Sequence, residues 1–231
     1  ITDADREYIR AAAAGSWRYL QDFSTAEDNF LPPDNFQEQP PVGTAHRTSP
    51  TNIGFAMAAA VAACDMDIIT RGDAAGYIAR VAATLEKMPR FMGHWYNWYD
   101  TRTLLPLTPA FISTVDSGNL LVGLIACIGA LREWGMDADA DRLAALAAPM
   151  DFAPLYDARR GLFYICYDCA NAHPAGGWYD LMASEAMLTS YIAVAKGDVP
   201  VKHWRRLSRG QLQKDGYCGL ASWTGTMFEY L

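Results

Sequence analysis

Apolar positions recur at helical spacing along most of this chain. Over residues 3–23, Tyr8, Ile9, Ala12, Trp17, Tyr19 and Leu20 form an amphipathic pattern, with acids early, where a helix N-terminus prefers them. Ser49-Pro50-Thr51 reads as a helix start, with serine as N-cap and proline at the first helical position. The segment that follows, to Cys64, is Ala-rich and apolar on all sides, which predicts a buried helix. Residues 73–88 predict a surface helix. Ser113-Thr114-Val115-Asp116 reads as a variant capping box that opens a helix running to about Trp134. Residues 137–148 and 177–196 predict two more helices, the second stopped by Gly197.

Two stretches break the helical pattern. Residues 31–46 are Pro-rich and irregular. Residues 155–169 carry Tyr156, Phe163, Tyr164, Ile165 and Tyr167 around Asp157 and Gly161, the signature of a turn and a short β-hairpin. Helices of similar length joined by long irregular links predict an all-α stack of helical hairpins. No fixed-period repeat is visible, which disfavours a TPR-type array, so a helical toroid or part of one fits best.

Composition narrows the function classes. The chain has 231 residues, 51% hydrophobic and 19% charged, with 19 basic against 26 acidic side chains and a net charge of -7. That balance argues against nucleic acid as a partner, since phosphate binding needs clustered Lys and Arg. High apolar content excludes disorder. The longest uncharged run, residues 48–64, contains Pro50, Thr51 and Asn52 and falls short of a membrane span, and no signal peptide is visible. Five cysteines, an odd number in a chain of this size, point to free thiols in a reducing compartment. Cys166, Cys169 and His173 have suggestive spacing but lack a fourth zinc ligand, so neither metal nor cofactor is expected.

The aromatic content, 12% with seven Trp and twelve Tyr, needs explaining. Trp95, Tyr96, Trp98 and Tyr99 are too close together to face one core, and they stand beside Asn97, Asp100 and Arg102. Flat aromatic faces next to such hydrogen-bonding groups suit a sugar, whose C–H faces stack and whose hydroxyls need polar partners. The bland alternative is interhelix packing, under which Trp95, Trp98 and Trp223 would be dry and Asp100 and Glu185 closed off by basic partners. Helical neighbours Leu181, Met182, Leu188 and Ile192 put Glu185 on an apolar face, where a carboxylate is either paired structurally or chemically active. Asp116 reads first as a cap. Glu229 can pair with an arginine as easily as bind a ligand. Asp34, Asn35, His46 and Arg47 bring hydrogen-bonding groups into loops that fit the lining of a cleft.

At these residues the sequence resembles a known family. Leu31-Pro-Pro-Asp-Asn-Phe-Gln-Glu38, His46-Arg-Thr-Ser-Pro-Thr-Asn-Ile-Gly54, Tyr96-Asn-Trp-Tyr-Asp-Thr-Arg102 and Ser113-Thr-Val-Asp-Ser-Gly-Asn-Leu120 are similar to the glucoamylase-like domain of cyclic β-1,2-glucan synthases. Tyr179-Asp-Leu-Met-Ala-Ser-Glu185, Ala195-Lys-Gly-Asp-Val-Pro200 and Ser222-Trp-Thr-Gly-Thr-Met-Phe-Glu-Tyr-Leu231 continue the resemblance in the same order. It implies an (α/α)6 toroid in which a retaining transglycosylase closes linear β-1,2-glucan into rings, with endo-β-1,2-glucanase activity as the alternative and a non-catalytic glucan-binding or structural all-α module as a third reading. It also implies that Glu185 is one of two catalytic acids, to which we assign the nucleophile role, and that Asp34, Asn35, Arg47, Trp98, Asp100, Arg102 and Asp116 form glucan subsites, with Asp180 and Glu229 as further binding candidates.

One departure matters. The family's second catalytic Glu lies in a Gly-Ile-Ser-Glu-Ser motif beyond Phe-Glu-Tyr-Leu, and Glu229 does not match it. The expectation is therefore that residues 1–231 are the N-terminal part of a single toroid domain and are inert alone. Implied partners are β-1,2-glucan or a related glucooligosaccharide and the other domains of a larger synthase, with dimerisation as a way to cover exposed inner helices. The implied location is the cytoplasmic side of an inner-membrane protein.

Overall fold

A computed structural model describes residues 1–230. The helices fall close to where the hydrophobic pattern puts them. The helix α1 (Asp3–Phe23) starts from a Thr2/Asp5 capping box, and α2 (Pro50–Asp65) starts where Ser49 accepts the Asn52 N–H. The next two are α3 (Arg71–Leu85), capped by Thr70 and Asp73, and α4 (Thr114–Glu133), capped by Ser113. They are followed by α5 (Asp137–Ala147), α6 (Met187–Lys196) and the short α7 (Lys202–Arg206).

The helix α4 is the centre of the molecule. It packs against α2, α5 and α6, and by length and composition it is apolar enough to cross a membrane, yet most of that stretch is buried inside the protein. Its contact with α2 is close because glycines face each other: a β-carbon on Gly54 would lie 2.7 Å from the Asn119 carbonyl oxygen, and one on Gly123 would collide with the Gly54 carbonyl. By contrast α1 buries only Trp17 along its length, leaving Tyr8 and Ile9 in solvent.

The expected all-α class is overturned. The structure is 47% helical and 18% strand, in several small sheets. In chain order the strands are β1 (Phe36–Gln37), β2 (Gly43–Thr44), β3 (Arg47–Thr48), β4 (Arg90–Phe91), β5 (His94–Trp95), β6 (Tyr99–Asp100), β7 (Phe111–Ser113), β8 (Tyr156–Asp157), β9 (Leu162–Asp168), β10 (His173–Tyr179), β11 (Gln211–Lys214) and β12 (Tyr217–Leu220). Four two-stranded ribbons pair β1 with β2, β3 with β6, β4 with β5 and β11 with β12. The largest sheet runs β10-β9-β7, with β8 also paired to β9. The expected hairpin near 155–169 is there as β8 and β9, but it belongs to this larger sheet.

The clearest correction concerns residues 177–186. The pattern there predicts the first half of a helix, whereas His173–Tyr179 is a strand with a bulge at Gly176 and Gly177, and the chain from Asp180 to Ala186 is irregular until α6 begins. Backbone bonds from Met182 N–H to the Ser208 carbonyl and from Ser208 N–H to the Asp180 carbonyl hold this segment extended. Tertiary pairing thus outweighs a locally helical pattern, as it often does where a strand partner is available.

Candidate functional site

The N-terminus of α2 is the hub of the polar groups singled out by sequence. The ribbon of β3 and β6 sets Arg47 opposite Asp100. Arg47 donates twice to Asp34 Oδ2, at 3.1 and 2.9 Å, and its guanidinium lies 5.0 Å from the Trp98 ring centroid. Asn35 donates to the same Asp34 oxygen at 3.0 Å. One residue into α2, Thr51 donates its hydroxyl to Asp116 Oδ1 at 2.6 Å. Asp116 therefore does not reach back to close the capping box: Ser113 Oγ accepts the Asp116 N–H, but the carboxylate is turned across to α2.

Asp116 also connects to the acid of greatest interest, since its charge is among those that raise the pKa of Tyr179. Burial is the main cause of that rise, followed by the hydrogen bond from Tyr179 Oη to Glu185 Oε1 at 2.7 Å. Tyr179 thus stays protonated at any working pH and serves Glu185 as a donor. Glu185 is half-buried just before α6 rather than on an apolar helix face. Among the described residues it has no cationic partner, and neither does Asp100.

Trp223 completes this corner. Its indole stacks on Tyr179 at 5.2 Å and 11° and donates from Nε1 to Asp180 Oδ1 at 3.0 Å, while 46% of the residue remains exposed. The loop that presents it is pinned by Glu229, which accepts the N–H of Trp223, the N–H and hydroxyl of Thr224 and the N–H of Thr226. Those donors, the Thr224 hydroxyl first, hold Glu229 at about 2 against the opposing effect of burial. Phe228 in the same loop meets Phe55 of α2 edge-on at 6.2 Å.

The sequence-selected residues accordingly divide. Asp34, Asn35, Arg47, Trp98 and Asp116 gather around the start of α2; Asp180, Glu185 and Trp223 gather around Tyr179. Asp100 is occupied by its own turn, where Oδ1 accepts the N–H groups of Arg102 and Thr103, and these bonds keep its carboxyl below the usual carboxylate range. Arg102 faces elsewhere, bound to Glu27 and to His46, whose other nitrogen meets Asp28. Glu229 is used up in holding its loop. Trp95 is core, with Arg90 stacked on it at 3.7 Å. Tyr179 and Thr51 were not singled out from sequence; the available signal was an aromatic hydroxyl at the edge of the Tyr179–Glu185 block and a hydroxyl next to the α2 cap.

This arrangement of a carboxylate without a cation, a fixed hydroxyl donor and an exposed indole in one corner, with hydrogen-bonding pairs along the adjoining helix end, suits a polyhydroxylated ligand. In an alignment 358 positions long that takes in all of this 231-residue chain, it is 29% identical to the cyclic β-(1,2)-glucan synthase NdvB of Rhizobium meliloti (strain 1021). The chain resembles a segment of a cyclic β-1,2-glucan synthase. It spans 13% of that synthase's length. No family model matches it. Among solved structures, a glucoamylase-like protein from Bacteroides fragilis NCTC 9343 superposes with a TM-score of 0.76 at 17% identity, over 98% of this chain and 56% of that one. An endo-β-1,2-glucanase from Chitinophaga pinensis, solved with sophorotriose and glucose, gives a TM-score of 0.72 at 15% identity, over 93% and 55%. The fold is thus shared with glucoamylase-like proteins and endo-β-1,2-glucanases, and the chain spans about half the length of each.

Proposed function

We propose that this chain is part of a carbohydrate-active domain acting on β-1,2-glucan, working within a larger membrane-bound synthase on its cytoplasmic side. The observation that carries the reading is Glu185: a half-buried carboxylate with a 2.7 Å hydroxyl donor and no cation to neutralise it, in a chain aligned along its whole length with a cyclic β-1,2-glucan synthase. Retaining glycoside chemistry uses two carboxylates about 5 Å apart, one as nucleophile and one as acid and base. Glu185 supplies one of them, as nucleophile. The Trp223 face provides stacking, and the Arg47–Asp34 pair beside Trp98 provides hydroxyl recognition. Transglycosylation to rings is the first reading. Hydrolysis is the second, favoured by the fold shared with the Chitinophaga pinensis glucanase.

Isothermal titration with β-1,2-glucooligosaccharides tests the reading. Saturable binding is expected, weakened about tenfold in Trp98→Ala, a loss in the range of one stacked aromatic, and weakened similarly in Trp223→Ala. Binding absent from the native chain, or unchanged in both variants, rules the site out. Cyclic against linear products from the full synthase then separate ring closure from hydrolysis.

A further inference from the structure

Away from the glucan site, the turn between β8 and β9 and the helix α7 enclose a depression of about 350 Å³ rimmed by Arg159, Arg160, Lys202, Arg205 and Arg206. No acidic side chain lines it. In a chain of net charge -7, this concentration of cations stands out. Arg160 is partly spoken for, with its guanidinium 3.9 Å from the Trp178 ring centroid and 3.8 Å from Asp157 Oδ2. Among the described residues the other four have no acidic partner. Like charges crowded on one rim repel, and the repulsion is relieved when an anion sits between them.

The two sides of the rim are held at a fixed separation. Asp157 Oδ1 accepts the N–H groups of Arg159 and Arg160, and Gly161 N–H closes the turn on the Asp157 carbonyl at 2.7 Å. Gly161 adopts a φ of +75°, where a side chain would be strained, and a β-carbon there would sit 3.6 Å from Arg206 Cγ. On the other side His203, fully buried within α7, meets the Gly161 carbonyl with Nδ1 at 2.9 Å and the Ser190 hydroxyl with Nε2 at 2.9 Å. Nδ1 must donate to a carbonyl, which leaves Nε2 to accept from Ser190. One buried imidazole therefore staples the helix carrying Lys202, Arg205 and Arg206 to the turn carrying Arg159 and Arg160. A preorganised rim gives up little conformational freedom on binding.

We propose that this pocket binds a phosphate group, whether of inorganic phosphate, a phosphomonoester or a lipid headgroup, held between Arg159 and the α7 cations. Guanidinium groups match phosphate oxygens in bidentate geometry, and Lys202 adds a point charge. The same chemistry is offered by a soluble phosphate and by a lipid headgroup, and the test separates the two sources.

Titration of the 231-residue chain with inorganic phosphate and with glucose 6-phosphate is run beside co-flotation with vesicles of phosphatidylglycerol and phosphatidylcholine. Saturable binding is expected, and the double variant Arg159→Gln/Arg206→Gln should weaken it about tenfold or more, the loss expected for charge-assisted hydrogen bonds. The exposed pair Arg6→Gln/Arg18→Gln on α1, of equal charge change, should leave it unaltered. Binding to vesicles alone, with the same dependence on the variants, assigns the anion to a headgroup. No saturable binding of any probe, or equal loss in both double variants, overturns the site. All four arginines are exposed, so both double variants should keep the native circular dichroism spectrum.

Discussion

Tyr179 and Glu229 show how differently two ionisable groups that both meet Trp223, one at its ring and one at its backbone N–H, are used. Tyr179 is stacked on Trp223 and bonded to Glu185, so its hydroxyl orients a neighbour's carboxylate. Glu229 holds its own loop and has nothing left to give a ligand. Its folded pKa is depressed, so the loop stability it contributes is complete above the ordinary value of 4.5 and is lost as pH falls towards about 2. Trp223 fluorescence, taken as the difference from a Trp223→Phe reference, should therefore change over that window. Glu229→Gln should abolish the transition and leave the loop loosened at neutral pH; a signal flat down to the acid end would contradict this role. The spacing that predicts an apolar helix face for Glu185 does not hold, because residues 180–186 are irregular and α6 begins only at Met187. Asp116 was legible as a residue next to a cap, but its side chain answers to Thr51, sixty-five positions away in sequence.

At the level of elements, the helix starts were the most readable feature. Ser49-Pro50 and Ser113 are local signals, and each cap forms from atoms within three residues, as does the Thr70–Asp73 cap that starts α3 two residues before the expected Asp73. Strand pairing is not local. The sequence of β10 contains two glycines and a proline, a poor strand signature, and only its register with β9 makes it one. The α2–α4 crossing is likewise invisible in the hydrophobic pattern, although it sets how closely the two helices approach. Gly123→Ala inserts a methyl group against the Gly54 carbonyl and should destabilise the protein by ~1–3 kcal/mol, the usual range for overpacking. Urea unfolding measures it, and an unchanged midpoint would mean that the helices can part at no cost. The exposed Gly129, on the same helix with open space around it, should accept alanine without loss.

For the molecule as a whole, the extent of the chain relative to its relatives bears on chemistry. On the proposed function Glu185 is one acid of a retaining pair, and residues 1–231 do not contain the Gly-Ile-Ser-Glu-Ser motif, so the purified 231-residue chain should bind β-1,2-glucan without turning it over, because retaining chemistry needs both acids. Chromatography of products after prolonged incubation checks this. Robust turnover abolished by Glu185→Gln would show that a second acid is already present in these residues. The sequence by itself determined the starts of α2 and α4, the acidic balance, the aromatic-rich composition and the motifs shared with glucan synthases, since caps and composition are properties of neighbouring residues. Only the tertiary structure decided the small sheets, the partners of Asp100, Asp116 and Glu229, the Tyr179–Glu185–Trp223 corner and the cationic pocket between the β8–β9 turn and α7. Each depends on groups brought together from distant parts of the chain by strand pairing and helix crossing, and no local pattern records which distant group will arrive.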